Sequence, residues 1–347
     1  MSVEMSQKRS AMPLTPWELP KLLEPMHRWK RRKRGSGAAL WRPHFLPILA
    51  FIYRNRFAVG SQIQRRFQRA LPSDRTARRH LVELEATGCL GVADTRSTSP
   101  LFPKVYFVTG RGVRTIEEAL RERGKPGRCC RGDRRRPEAY SPDHVLHEIL
   151  TTEFLLNVWQ ATQQRDDLEL LVVQRRALER HPAFLVDDNQ RSRLKPDAMF
   201  LYRERGGLMC CFLELDNGTM SLRQMRSKFA QYDAWARSSL GQGFLLSLYR
   251  AHDAVHARPA FRVLVVTRSR LAGGDSRRLD ALRRAGRHLS VETQSRLWLT
   301  TVPELQLAEG EAGAMEAAIW RRGTGGIAGN ADERHCLLVA RGLMPVG

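Results

Sequence analysis

Residues 195–219 read KPDAMFLYRERGGLMCCFLELDNGT. Two apolar runs, 198–202 and 208–215, flank an Arg-Gly-Gly bend. Short apolar runs bounded by glycine predict two buried strands joined as a hairpin. The first strand is preceded by Pro196-Asp197, and the second ends in Glu214-Leu215-Asp216. If the strands pair through a bend at Gly206-Gly207, Asp197 and Glu214 meet at one rim of the sheet. Two carboxylates side by side repel unless a proton or a cation lies between them. The pattern is therefore either a metal site or the polar lip of an ordinary hairpin.

Magnesium commonly takes one or two carboxylates and keeps several waters, and such an ion activates water and neutralises phosphate charge. On the metal reading, Asp197 and Glu214 are the ligands, with the Leu215 carbonyl as a further donor. Glu148 is a candidate third ligand, in balance with an exposed helix acid. His147 beside it either orients a water or phosphate or is an ordinary interface histidine. Asp216 adds a third negative charge unless it caps the turn at Asn217-Gly218, as an Asx-type turn would have it.

Working outward, SPDHVLHEILTTEFLLNVWQAT (141–162) predicts a helix. Ser141 caps it, Pro142 suits its first turn, and Asp143 suits its dipole. Val145, Ile149, Leu156 and Trp159 mark its apolar face. A strand follows at 168–178. Beyond the hairpin come a helix at 221–238, a strand at 261–269, a helix near 275–287 and a strand at 296–302. Helices alternating with strands in this order predict an α/β layer fold.

The region before it reads differently. RPHFLPILAFIYRNRFAVGSQIQRRF (42–67) places Leu46, Leu49, Ile52 and Tyr53 at helical spacing, then a short helix capped by Ser61. A third helix starts at Ser73 or Asp74 and buries Leu81 and Leu84, and Gly88 stands where a helix end favours a left-handed residue. Strand, polar loop, strand and a helix from about 111 to 121 follow. Three helices and a two-stranded ribbon predict a winged helix-turn-helix whose third helix reads duplex DNA. Arg75, Thr76, Arg78 and Arg79 near its N-terminus are the donors that phosphates and guanine edges call for. Arg96, Lys104 and Arg111 extend the contact from the wing. A winged helix that touches only protein is the competing reading.

The chain has 347 residues, with 58 Lys and Arg against 36 Asp and Glu, a formal charge of +22. The length suggests about two domains. Hydrophobic residues make up 42%, which argues against a wholly disordered chain. Such a positive field needs a polyanion or an anionic surface as partner. No run is long and apolar enough to span a bilayer, and the N-terminus lacks the core of a secretion signal. Of six cysteines, four form adjacent pairs, with no zinc spacing. A cytoplasmic protein with free thiols is expected.

The order of a helical Glu, Pro-Asp, and a hydrophobic strand ending in Glu resembles the PD-(D/E)xK nuclease superfamily, with its restriction-endonuclease-like fold. That pattern implies Asp197, Glu214 and Glu148 at the metal and in catalysis, with Mg²⁺ as cofactor. It also implies a lysine two residues after Glu214, where this chain has Asp216. A lysine from the next helix can stand in, and Lys228 is the candidate. Lys228 and Tyr232, one turn apart, resemble the Gln-x-x-x-Tyr feature of RecB-like nucleases. Together with VYFVTGRG, KPDAMF, FLELDNGTMSLRQMRSKFAQYDAW and FRVLVVT, the arrangement resembles the replication-relaxation family over roughly residues 44–302.

The expected organisation is a flexible basic arm (1–40), a winged helix (41–122), an Arg/Gly/Pro linker (123–140), a nuclease-like α/β domain (141–304) and a tail (305–347) with no role assigned. The whole is α/β, or α+β taken together. The resemblance implies a DNA-binding protein of plasmid or mobile-element replication or DNA relaxation whose second domain hydrolyses phosphodiesters. The alternative is a non-enzymatic regulator or replication accessory protein with a degenerate nuclease fold. Expected partners are double-stranded DNA, a second copy of the chain and replication or mobilisation proteins, and no membrane.

Overall fold

The computed structural model describes residues 42–93, 104–122, 140–175, 181–185, 193–252, 259–269, 274–307, 315, 320–323 and 335–337. The first elements are α1 (Phe45–Asn55), β1 (Ala58–Val59), α2 (Gly60–Arg66), α3 (Asp74–Ala86), β2 (Leu90–Ala93), β3 (Val105–Val108) and α4 (Gly110–Arg121). α1 buries every residue from Phe45 to Ile52, because it runs through the middle of its own cluster. α3 starts where the sequence places it, with the Ser73 hydroxyl accepting from the Thr76 N–H at 3.2 Å. Gly88 takes φ +70° after it. α2 differs from expectation. Its first residue is Gly60 and its cap is Val59, whose N–H donates to the Gln62 side chain at 3.2 Å. Ser61 therefore lies inside the helix. β1, too short to register as a pattern, joins β3 and β2 in a three-stranded antiparallel sheet.

The second half opens with α5 (Pro142–Gln164) and β4 (Leu168–Gln174). It continues with β5 (Ala198–Glu204), β6 (Gly207–Asp216), α6 (Leu222–Arg237), α7 (Ser239–Arg250), β7 (Phe261–Thr267), α8 (Asp275–Gly286), α9 (Val291–Arg296), β8 (Leu297–Thr301), α10 (Val302–Leu307) and β9 (Arg321–Arg322). The strands form one sheet in the order β4-β5-β6-β7-β8-β9, with β6, β7 and β8 parallel and the outer pairs antiparallel. Central strands covered on both faces read as continuous apolar runs, and β6 is buried from Cys210 to Asp216. Alternate residues feed two cores. Cys210 and Phe212 face Phe229, Tyr232 and Trp235 of α6 and Leu279 and Leu282 of α8. Cys211, Leu213 and Leu215 face Phe154, Leu155 and Val158 of α5. Met315, Trp320 and Leu337 belong to that second core, so residues past 305 help to close it.

The β5–β6 turn is one residue earlier than expected. Arg205 (φ 48°) and Gly206 (φ 83°) form it, and Gly207 is already the first residue of β6. A two-residue loop with positive φ at both positions matches the twist of an antiparallel pair. The pairing that follows sets Ala198 opposite Leu213, which brings Asp197 beside Glu214.

α5 joins the halves. Its Val145 and Ile149 pack with Phe57, Val59 and Val105, and Leu156 sits in the first half's core. Gln62 donates to the Ile149 carbonyl at 2.9 Å and to Glu153 at 2.8 Å, and Arg65 pairs with Glu153. Arg175, just past β4, donates to Asn55 Oδ1 at 3.1 Å and to Glu148 at 2.6 Å. The linker at 123–139 and the basic arm lie outside the described residues. Removing one partner of a buried ion pair leaves the other charge uncompensated. Arg175→Met is expected to destabilise the protein by about 3 kcal/mol, near the lower end for such a loss because Arg56 still reaches Glu148. Urea unfolding of the full chain measures it, and a loss under about 1 kcal/mol would mean the junction contributes little.

Candidate functional site

Asp197 precedes β5 and Glu214 lies near the end of β6, at the same end of the sheet. The backbone fixes Asp197 twice. Its N–H donates to the Leu213 carbonyl at 3.0 Å, and its Oδ2 accepts the Leu215 N–H at 2.7 Å. His147 of α5 approaches the same oxygen, with Nε2 at 3.1 Å. Among the described residues, no hydrogen bond reaches Asp197 Oδ1.

Glu214 is almost fully buried, at 2% exposure. Its Oε1 accepts from the Tyr232 hydroxyl at 2.6 Å, and its Oε2 forms an ion pair with the Lys228 ammonium. Lys228 and Tyr232 stand one helical turn apart on α6, so both reach the strand from one helix face. The structure thus brings together Asp197, Glu214, Lys228, Tyr232 and His147. Trp235, on the next turn, is wholly buried, as core packing requires.

The charges of this group depend on one another. Burial pushes the Glu214 carboxyl up to about 7, with Lys228 pulling it down and Asp197 pushing it further up. Burial opposes charge on Asp197 as well. There Lys228, His147 and the Leu215 N–H prevail, and the carboxyl is held below the ordinary aspartate value. Burial also works against the Lys228 ammonium and the His147 imidazolium, yet their acidic neighbours raise both.

Asp216 does not deepen the negative potential. Arg278, in the first turns of α8, binds it with two bonds, at 2.8 Å and 3.0 Å. Thr267 donates to it at 2.8 Å, and the Gly218 N–H at 3.1 Å closes the Asx-type turn expected there, with Gly218 at φ +69°. Sequence reasoning did not find Arg278, since its only signal is an arginine early in a helix after a parallel strand.

Glu148 departs from expectation. Its carboxylate is held by Arg175 at 2.6 Å and Arg56 at 2.9 Å, in the junction between the halves. It is buried as a partner of two guanidinium groups and is not grouped with Asp197 and Glu214. Among the described residues, no cluster of three or more His, Cys, Asp or Glu side chains is arranged to hold a metal ion. What remains is a two-carboxylate donor set. Asp197 Oδ1 carries no hydrogen bond, and Glu214 Oε2 has only its ion pair with Lys228. Hard oxygens of this kind fit one magnesium ion that keeps several waters.

The candidate DNA contacts sit on the first half. Arg75, Arg78 and Arg79 are exposed on α3 and Thr76 is half-buried. Arg78 reaches Asp74 only loosely, at 3.6 Å. Lys104 is exposed just before β3, and Arg96 lies outside the described residues.

The Tyr232 hydroxyl favours the charged form of Glu214. In Tyr232→Phe, Glu214 is therefore expected to titrate above its wild-type value of about 7, read by carbon-detected NMR on metal-free protein. That value lies above the 4.5 of an unperturbed glutamate, so the folded protein holds the proton more tightly. Glu214's own contribution to stability is then full below about pH 4.5 and is lost as pH rises through 7. A value in Tyr232→Phe equal to that of the wild type would remove the hydroxyl from control of the site.

No curated protein and no solved structure matches the chain. The family model described as Replication-relaxation matches residues 49–244. That span runs from α1 through the Asp197–Glu214 hairpin and α6 into α7, and contains all the stretches on which the resemblance was drawn except FRVLVVT at 261–267. The match covers more than half of the chain, and the protein belongs to the replication-relaxation family.

Proposed function

We propose that this is a DNA-binding protein of plasmid or mobile-element replication whose α/β half hydrolyses phosphodiester bonds. The observation that carries the reading is the lysine. The strand position after Glu214-Leu215 holds Asp216, and the cation comes instead from Lys228 on α6, buried against Glu214 and near Asp197. A lysine is costly to bury unless it serves two acids or a ligand. Residues 45–121 act in this reading as a winged helix, with Arg75, Thr76, Arg78 and Arg79 toward the major groove.

In the reaction, Asp197 and Glu214 would hold one Mg²⁺, with the Leu215 carbonyl beside them. Bound there, the ion would supply Lewis acidity toward the phosphate and would lower the pKa of a water. Lys228 stays protonated and stabilises charge developing on the phosphate oxygens. Tyr232 favours the charged form of Glu214 and orients its carboxylate. His147 holds Asp197 in place through Oδ2.

A second reading is favoured by a specific feature. The acids are already neutralised from within, Glu214 by Lys228 and Asp216 by Arg278, so the pocket can stand as a binding fold with no chemistry. Metal calorimetry and incubation with supercoiled plasmid separate the two. The wild type is expected to bind Mg²⁺ or Mn²⁺ and to nick. Asp197→Ala and Glu214→Gln should do neither while still shifting DNA. Lys228→Met should lower the nicking rate by about 100-fold or more. DNA shifted by a wild type that neither binds metal nor nicks would establish the non-enzymatic reading.

The helix reading has its own test. Arg75→Ala, Arg78→Ala and Arg79→Ala combined should weaken duplex binding and reduce its salt dependence by nearly one unit of slope per lost phosphate contact. An unchanged slope would take α3 out of the interface.

A further inference from the structure

Five basic side chains surround the Asp197–Glu214 end of the sheet, and none was singled out by the sequence. Lys195 lies two residues before Asp197. Arg223 and Arg226 stand on the first turns of α6, and Arg277 on the first turn of α8. Arg268 follows β7 directly. All five are exposed, and among the described residues none of their side chains forms an ion pair or hydrogen bond.

Topology puts them at one end. β5 begins where β6 ends, and β6 and β7 run parallel, so residues 195–197, 216–223, 268–269 and 274–277 all lie on the same side. Hydrogen bonds tie these segments together. The Arg268 N–H donates to the Asp216 carbonyl at 2.8 Å. Arg278 spans from the Asp216 carboxylate to the Met220 carbonyl at 2.6 Å. Charge at this end is sorted by depth. The acids Asp197, Glu214 and Asp216 are turned inward onto His147, Lys228 and Arg278, and half-buried Asp275 accepts the Ser269 N–H at 2.6 Å, while the five bases face water.

We propose that Lys195, Arg223, Arg226, Arg268 and Arg277 form a phosphate-binding rim that seats duplex DNA over the Asp197–Glu214 end of the sheet, as a second contact separate from α3. The inference rests on the reading of the chain as a DNA-binding protein and does not require catalysis. Arginine forks suit backbone phosphates, and exposed cations without partners give up little when a phosphate arrives. The duplex is favoured over a single strand because no exposed Phe, Tyr or Trp stands among the described residues to stack bases. The large exposed apolar side chains are Val82, Leu240, Leu246 and Val291.

The test is fluorescence anisotropy of the full chain on a duplex of about 30 base pairs across a salt series, without divalent metal so that no cleavage intervenes. The variant combines Arg223→Gln, Arg226→Gln and Arg277→Gln. Its control removes the same charge from the opposite end of the sheet, through Arg250→Gln, Arg284→Gln and Arg287→Gln, all exposed. The rim variant should lose about two to three units of salt slope and at least tenfold in affinity, with the control near wild type. Equal losses in rim and control variants would reduce the rim to general charge and overturn the proposal, as would no loss in either. Urea midpoints close to wild type for both variants ensure that the comparison is between folded proteins. A rim effect in a protein that never nicks DNA would leave the rim standing and remove only the catalytic reading.

Discussion

The register of one hairpin places two carboxylates side by side in the interior, and much of the second half answers that placement. Arg205 and Gly206 turn the chain, so Ala198 meets Leu213 and Asp197 falls opposite Glu214. With the turn centred one residue later, Asp197 would oppose Asp216 instead. A buried pair of like charges needs a compensating cation. The cation comes from Lys228, and α6 is the element that must dock on β6 for it to arrive. The Phe229, Tyr232 and Trp235 side chains that seal α6 onto the sheet therefore also deliver the charge.

Asp216 shows the same logic one step along the strand. A carboxylate where a lysine would complete the nuclease-like pattern makes a site too negative to bury unless it is matched. Arg278 matches it with a two-pronged bond, and in doing so ties the start of α8 to the β6–α6 turn. Lys228 and Arg278 thus each neutralise a different buried acid of β6. One cation faces the Asp197–Glu214 pair, and the other holds the loop that shapes the rim above it.

The parts legible in the sequence were those set by local pattern. The apolar runs of the hairpin, the Ser73 and Ser141 caps, the Asx-type turn at Asp216 and the one-turn spacing of Lys228 and Tyr232 all follow from residues within a few positions of each other. What escaped depends on distant partners. Glu148 reads as a metal ligand because its two arginines come from 92 residues earlier and 27 residues later. Arg278 lies 62 residues from the carboxylate it neutralises. The short strands β1 and β9 carry no periodicity, and only the edges they pair with reveal them.

α5 is where the two halves become one object. One stretch of the helix, from His144 to Glu153, holds the first half through Gln62, Arg65 and Arg56, and the same stretch presents His147 to Asp197. Tyr140 and His144 stack at its start, and His144 and His147 stack one turn on. Any displacement of α3 and its neighbours bears on α5 through buried ion pairs and apolar contacts, which resist sliding. The position of His147 against Asp197 is then tied to the seating of the first half. With Leu156 in one core and Phe154, Leu155 and Val158 in the other, the helix itself links the two.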